Sequence, residues 1–402
     1  MKIAVLGVDS DLPAVAAAER LRGARLVVGG QRHLDVYADA IHPDSAAVAI
    51  GGDLAPTLDA IAACQGQVVV LASGDPGFFG VVRALEERFG RDRLDVVPAV
   101  SSVAAAFGRV GLAWDDAVVV SAHGRDLRRA VNVARAYPKV AILTAPGAGP
   151  EEIAVALAGL DRTFVVAERL GSAQERIVTG DKAQIAATTW LHPNVVLVLD
   201  ESRLRAGKGA VFPRLPTPDG WGLDEAAFLH RDGMVTKPEV RAVVLARLGP
   251  GPGDMVWDIG AGSGSVAIEC ARFGAAVIAV DSDPEATRLV AANAERHGVA
   301  VQVLDGAAAA LLSGLADPDA VFVGGSGDEF PEILTEAGKR AKRAVVLALA
   351  SVERIEPAKK SLRDSGFEVE VIMLQTSRLR GIGTLNGFVA ANPVFIVSGR
   401  RP

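Results

Sequence analysis

Residues 258–265 read "DIGAGSGS", directly after the apolar run "MVW". The stretch predicts a strand that enters a tight turn and then a helix. Glycine at alternate positions permits positive φ and lets a ligand approach the backbone closely. Two ligands compete for it. Read from Gly262, the run Gly262-x-Gly264-x-x-Ala267 fits the dinucleotide fingerprint, and Asp281 stands about 20 residues on, as that fingerprint asks. Read from Asp258, it is Asp-x-Gly-x-Gly-x-Gly, the pattern of S-adenosylmethionine (SAM) sites. One reading is a dehydrogenase, the other a methyltransferase.

The chemistry of the ligands separates them. SAM has no pyrophosphate. It carries a sulfonium cation, an ammonium and a ribose diol, so acids are wanted at the strand ends. Asp258 stands just ahead of the glycines, where it can accept from the ammonium. A pyrophosphate there would set like charges together, which is unfavourable. Asp281 suits a ribose diol in either ligand and does not discriminate. Asp305 follows a third strand-like run, near where adenine would lie.

Strand order supports the same side. Seven strand-like runs follow residue 254: "MVWDI", "AAVIAV", "AVQVLD", "AVFVGG", "AVVLAL", "FEVEVIML" and "NPVFIVSG". The last two are joined by "QTSRLRGIGTLNGFVAA", which lacks helical character. Parallel strands need a crossover, so this pair predicts an antiparallel hairpin. Upstream, "DEAAFLHRDGMVTKPEVRAVVLARLGP" reads as helical cover for the sheet.

The first half has its own texture. Eight short apolar runs, from "KIAVLGV" to "NVVLVLD", alternate with Ala/Leu/Arg-rich helical stretches, which predicts βα units and mostly parallel sheets. Between the halves, "ESRLRAGKGAVFPRLPTPDGWG" has three prolines and four glycines and no period. The expected domains are 1–204 and 223–402, with a linker at 205–222.

Composition narrows the partners. The 402 residues carry 42 Lys and Arg against 48 Asp and Glu, a net charge of −6, which argues against a nucleic-acid binder. Cys64 and Cys270 lie in Ala-rich contexts and read as buried thiols. The six histidines lack metal-ligand spacing, so no metal is expected. No apolar run reaches the roughly 18 residues of a membrane span. The expected setting is the cytoplasm, without nucleic acid or membrane.

Longer stretches carry resemblances. The run 230–272, "FVGGSG" at 322–327 and the closing 375–402 resemble the decarboxylating methyltransferase module of cobalamin synthesis. That resemblance implies a Rossmann-like, seven-stranded class I methyltransferase fold with an antiparallel last strand. It implies SAM contacts from Thr236, Gly260, Ala261, Gly262, Ser263, Gly264, Asp281 and Ala307, beside Asp258. Gly324, Gly325 and Ser326 would meet the acceptor. In the first half, "VVGGQRHL" (27–34), "SGDPGFFG" (73–80), "PAVSSVAAAFGRVGLAWDDAVVVSAHGR" (98–125), "LTAPGAGPEEIAVAL" (143–157) and "VAERLGSAQERIVTG" (166–180) resemble the tetrapyrrole methylases, SAM enzymes with two α/β subdomains. Carried over by match, Asp75, Pro76, Gly77, Ser101, Ser102 and Thr144 would line the SAM cleft, with Glu168 and Arg169 beside them. One departure is the first loop, Gly7 to Asp11, where that family reads Gly-x-Gly-Pro-Gly.

Together the resemblances imply a bifunctional enzyme of cobalamin biosynthesis. It would methylate precorrin-6B at carbons 5 and 15, decarboxylate the ring C acetate and give precorrin-8. The alternative keeps catalysis in the second half alone, with the first as a binding or scaffold module. No catalytic acid or base is named, although Glu353 could orient the ring. The substrate is a polycarboxylate, so arginines should ring its pocket, with Arg241, Arg378 and Arg380 as candidates. Related modules self-associate, so a homo-oligomer is expected.

Overall fold

The structure is a computed structural model that describes residues 2–8, 15–204, 220–231, 233–325, 327–382 and 385–402. Asp9 to Asp11, linker residues 205–219 and Ser326 lie outside the described residues. The chain forms two compact units, one of 1–125, 141–155 and 162–199, the other of 126–140, 156–161 and 200–402.

The second unit is built on a seven-stranded sheet. Its order is Gln302–Asp305, Ala276–Asp281, Met255–Ile259, Ala320–Val323, Ala344–Leu349, Val394–Arg400, Glu368–Leu374. Val394–Arg400 runs antiparallel to both its neighbours, and the first five strands pair in parallel. The expected antiparallel last strand is therefore present. Its connection is a second hairpin of its own, Ser377–Ile382 against Leu385–Ala390.

Alternation along the central strand sets the site. Met255, Trp257 and Ile259 enter the apolar layer under the helices Phe330–Arg340 and Ile355–Asp364. Val256 enters the opposite layer, under Pro238–Leu248 and Ser265–Arg272. A strand's period of two thus turns Asp258 toward the helix that follows the glycines. The stretch expected to be helical from residue 224 makes one short 3-10 turn at Glu225–Ala227 and starts its α-helix only at Pro238. Proline is favoured at the first helical position and its predecessor is held extended, as Lys237 is at φ −60°, ψ 146°. Among the described residues, 228–231 and 233–237 instead form an irregular strap.

In the first unit, the order Ala46–Ala49, Leu26–Gly29, Val68–Ser73, Ile3–Val8, Leu94–Val97 makes an all-parallel sheet. A second sheet has the order Val118–Ser121, Lys139–Leu143, Asn194–Leu199, Thr163–Glu168, Arg176–Gly180. Thr163–Glu168 is antiparallel to both of its neighbours, where mostly parallel sheets were expected. Cys270 is buried as expected, whereas Cys64 is partly exposed.

Candidate functional site

The glycine turn is shaped by three left-handed residues, Gly260 (φ 67°), Gly262 (φ 56°) and Gly264 (φ 73°). They do different work. A Cβ on Gly260 would lie 2.0 Å from the Gly325 carbonyl oxygen, so two loops abut there. A Cβ on Gly264 would press into Val290 at 2.9 Å. Nothing lies within 4 Å of a Cβ on Gly262, which borders open space. The Gly324 amide donates to the Ile259 carbonyl at 2.9 Å and holds the second loop in place.

Two acids face this turn. Asp281 ends its strand and accepts from the Gly262 amide at 2.8 Å and from the Asp283 amide at 3.0 Å. Asp258 is 1% exposed. Its Oδ2 accepts from the Ala267 amide at 2.8 Å, in the first turn of the helix Ser265–Arg272. Its Oδ1 is buried with no partner among the described residues. Burial pushes this carboxyl up to about 7, against the pull of the Ala267 hydrogen bond and with a smaller push from Asp281. An unpaired buried carboxylate oxygen beside left-handed glycines fits a cationic group, as the ammonium of SAM would be. The glycines and Asp281 add room and an acceptor for the rest of that ligand.

The strap is fixed, at Leu229 and Arg231, by residues that sequence reasoning missed. Asn293, fully buried on the helix Pro284–His297, donates to the Ser263 carbonyl at 2.8 Å and to the Leu229 carbonyl at 2.9 Å. Its Oδ1 accepts from the Leu229 amide at 2.7 Å. Arg231 pairs with Asp283 and Glu285 at that helix's start. The only sequence signal for Asn293 was a poor helix former in mid-helix.

Arg241 is a correction. It was expected to face substrate carboxylates, but it is fully buried. Its Nε donates to Glu269 at 2.5 Å, and its other nitrogens donate to the Thr236 and Leu223 carbonyls. Glu269 also accepts from the Gly222 and Leu223 amides, at 2.8 and 3.0 Å. This pair staples the strap's neighbourhood to two helices. Arg378 is half-exposed, and its guanidinium is taken up by Glu225 at 3.0 Å and by Glu239 at 2.9 Å. Hydrogen bonds from Lys237 and then Arg378 hold the Glu225 carboxyl low. Arg380 is exposed on the hairpin. Thr236 is half-buried, and Ala307 is exposed just ahead of a short helix, beyond the strand end at Asp305. Glu353 is exposed and accepts from the Ser351 hydroxyl.

In the first unit, "SGDPGFFG" sits at the carboxyl end of Val68–Ser73. The Asp75 carboxylate accepts from the Gly77 amide at 2.8 Å, and Phe78 N–H closes the turn onto the Asp75 carbonyl at 3.0 Å. Pro76 follows at the turn's corner. Gly7 is required for the sheet end to close, because a Cβ there would lie 2.2 Å from the Gly74 carbonyl oxygen. A Cβ on Gly74 would lie 3.1 Å from Ser101 Cα, so the loop carrying Ser101 and Ser102 adjoins Asp75. Ser101 caps its helix, accepting from the Ala104 amide at 3.1 Å. The Thr144 hydroxyl meets Asn194 at 2.7 and 2.6 Å, at the end of the second sheet. Glu168 is a second correction. It is fully buried and accepts from Arg176 and the Leu191 amide, which makes it a brace of that sheet.

Comparison with known proteins places both halves. A family described as "Precorrin methyltransferase domain" matches residues 226–401, and "Tetrapyrrole (Corrin/Porphyrin) Methylases" matches 6–186. A precorrin-6Y C(5,15)-methyltransferase [decarboxylating] of a Sinorhizobium species is 36% identical, covering 98% of this chain and 94% of its own. A probable cobalt-precorrin-6B C(15)-methyltransferase (decarboxylating) of Pyrobaculum calidifontis is 35% identical over 44% of this chain and 94% of its own. A solved structure named precorrin-6y C5,15-methyltransferase from Geobacter metallireducens is 31% identical, covers 45% of this chain and 98% of its own, and has a TM-score of 0.43.

Proposed function

The chain belongs to the precorrin-6Y C(5,15)-methyltransferase (decarboxylating) family, and from that premise we propose that it methylates a late precorrin at carbons 5 and 15 and decarboxylates its ring C acetate. The product is precorrin-8. The two-domain division at 205–222 is part of this proposal. The first domain carries the carbon 5 step and the second carries the carbon 15 step with decarboxylation.

The observation that carries the second site is the Asp258 Oδ1, buried and unpaired beside the glycine turn. Asp258 would hold the ammonium of SAM and Asp281 its ribose diol. Gly260 to Gly264 would let the ligand lie against the backbone, with Thr236 and Ala307 at its flanks. SAM supplies a methyl group on a sulfonium that leaves as a neutral thioether. The chain's residues align that methyl with a nucleophilic ring carbon and keep water out, and such alignment supplies up to about 7–11 kcal/mol. In decarboxylation the electron pair of the breaking C–C bond passes into the conjugated ring imine as CO2 leaves, and a proton then enters. A pocket that binds the acetate without neutralising it favours this step. Gly324, Gly325, Ser326 and Arg378 are proposed at the acceptor side. Asp75, Pro76, Gly77, Ser101, Ser102 and Thr144 are proposed to hold SAM in the first domain.

Mass spectrometry of the product tests this division in the full chain. The wild type should add two methyl groups and lose CO2. A Gly260→Ala, Gly264→Ala chain should add one methyl and keep the carboxyl. Retention of both methylations in that double variant would overturn the assignment of the second site. A cytoplasmic setting and a homo-oligomer complete the reading. The second is supported by the apolar exposure of the hairpin, with Leu385 and Phe388 about three-quarters exposed. Cell fractionation and native mass spectrometry test them.

A further inference from the structure

Phe79, at the tip of "SGDPGFFG", has φ 55°. A bulky aromatic in the left-handed region is a genuine outlier. Such strain persists only where surrounding structure imposes it, and it concentrates at ligand clamps and active sites. Here the tight turn imposes it. Asp75 closes the turn ahead of Phe79, and on the other side a Cβ on Gly80 would lie 2.4 Å from the Pro76 carbonyl oxygen. Phe78 meets Phe79 edge-on, with centroids 5.1 Å apart. The strain therefore aims one ring. Phe79 is 48% exposed.

Its surroundings suit a flat anionic ligand. The Arg125 guanidinium carbon lies 6.0 Å from the Phe79 ring centroid, and no carboxylate pairs with Arg125 among the described residues. At the same end of the parallel sheet, Val97 and Val100 are 40% and 54% exposed. Their loop is the one that adjoins Gly74. Two strained or exposed aromatic and aliphatic surfaces and one unpaired cation thus gather where the sheet's strands end.

We propose that Phe79 and Arg125 form the tetrapyrrole-holding subsite of the first domain, Phe79 as a platform for the conjugated face of the macrocycle and Arg125 as the clamp for one of its peripheral carboxylates. The geometry separates these two from the SAM-holding residues. Asp75 and Ser101 turn their side chains back onto the backbone, whereas Phe79 and Arg125 project outward. A macrocycle that slides on Phe79 is oriented by which carboxylate Arg125 takes, so the pair sets which bridging carbon is presented. The inference rests on the carbon 5 assignment of the first domain, and its test distinguishes the two.

The full chain is used, with Phe79→Ala, Phe79→Gly, Phe79→Tyr and Arg125→Ala. Two readouts are taken: KM for the precorrin and for SAM at the carbon 5 step, and binding of an eight-carboxylate porphyrin followed by its absorbance. The carbon 15 step in the same chain reports overall integrity. Phe79→Ala and Arg125→Ala should each raise the precorrin KM and weaken one class of porphyrin sites about tenfold, the loss expected of one desolvated aromatic or cationic contact. The KM for SAM and the carbon 15 rate should hold. Phe79→Gly relieves the strain but should lose affinity equally, and Phe79→Tyr should restore it. Unchanged precorrin KM and porphyrin binding overturn the proposal. So does a rise in the SAM KM alone, which would move Phe79 into the cofactor site, or a gain of affinity in Phe79→Gly. If the wild type adds no methyl at carbon 5 yet porphyrin binding falls in the variants, the subsite stands and the catalytic assignment of the domain falls.

Discussion

Replacing Asn293 by alanine removes one amide that ties the strap to the glycine turn. Three hydrogen bonds vanish, to Ser263 O, Leu229 O and Leu229 N. Each is worth about 1 kcal/mol net, and a buried group left unpaired costs about 1–3 kcal/mol. The total destabilisation is then about 3 kcal/mol or more. At roughly 2–4 °C per kcal/mol for a unit of this size, the melting temperature should fall by about 6–12 °C. Only the Ser263 carbonyl bears on the turn itself, so the affinity for S-adenosylhomocysteine should fall by roughly five- to tenfold, about 1 kcal/mol. Asn293→Asp is the sharper probe. It keeps an acceptor for Leu229 N but sets a carboxylate against two carbonyl oxygens. It should therefore weaken ligand binding at least as much as alanine, although it is isosteric. Calorimetric unfolding and titration with S-adenosylhomocysteine measure both quantities. If Asn293→Asp binds like the wild type, the amide does not position the turn and the reasoning fails.

Three further outcomes are expected. Gly260→Ala should abolish ligand binding at the second site, since its Cβ would overlap the Gly325 carbonyl at 2.0 Å, and titration checks it. Glu269→Gln leaves Arg241 buried without its counter-charge and should destabilise the second unit by about 3–5 kcal/mol, read from denaturant midpoints. Asp258 has a folded pKa of about 7, above its ordinary value of 3.8. Its protonated form is the one the ligand-free fold favours, so its contribution to stability is whole below pH about 4 and is lost as pH rises to about 7. A ligand ammonium favours the carboxylate, so SAM should bind more tightly as pH rises through that window and release a proton. Titrations in buffers of different ionisation enthalpy read that proton, and Asp258→Asn should abolish it.

The buried strands were legible because nothing else produces their composition. "MVWDI" and "AVVLAL" are apolar nearly throughout, as strands covered on both faces must be. The strands that escaped notice are at edges. Ala46–Ala49 is largely exposed and alanine-rich, with no alternation to betray it. Arg176–Gly180 carries a charge and a glycine and is held by its neighbour's ladder alone. In the site, Asp258 was found because the glycines frame it. Arg241 was misread because a guanidinium facing a ligand and one buried against Glu269 leave the same letter in the sequence. Asn293 was missed for the converse reason: its partners are backbone groups, and backbone groups have no letters.

The place of Val394–Arg400 in the sheet bears on how the protein is made. It is the last of the seven strands to be synthesised, yet it lies inside the sheet, between Ala344–Leu349 and Glu368–Leu374. Until it leaves the ribosome, those two strands face a gap with unpaired backbone and exposed valines. Such open edges are templates for pairing with other chains. The sheet of the second unit therefore cannot close until this strand has been made, and its most vulnerable interval is the one before the strand pairs.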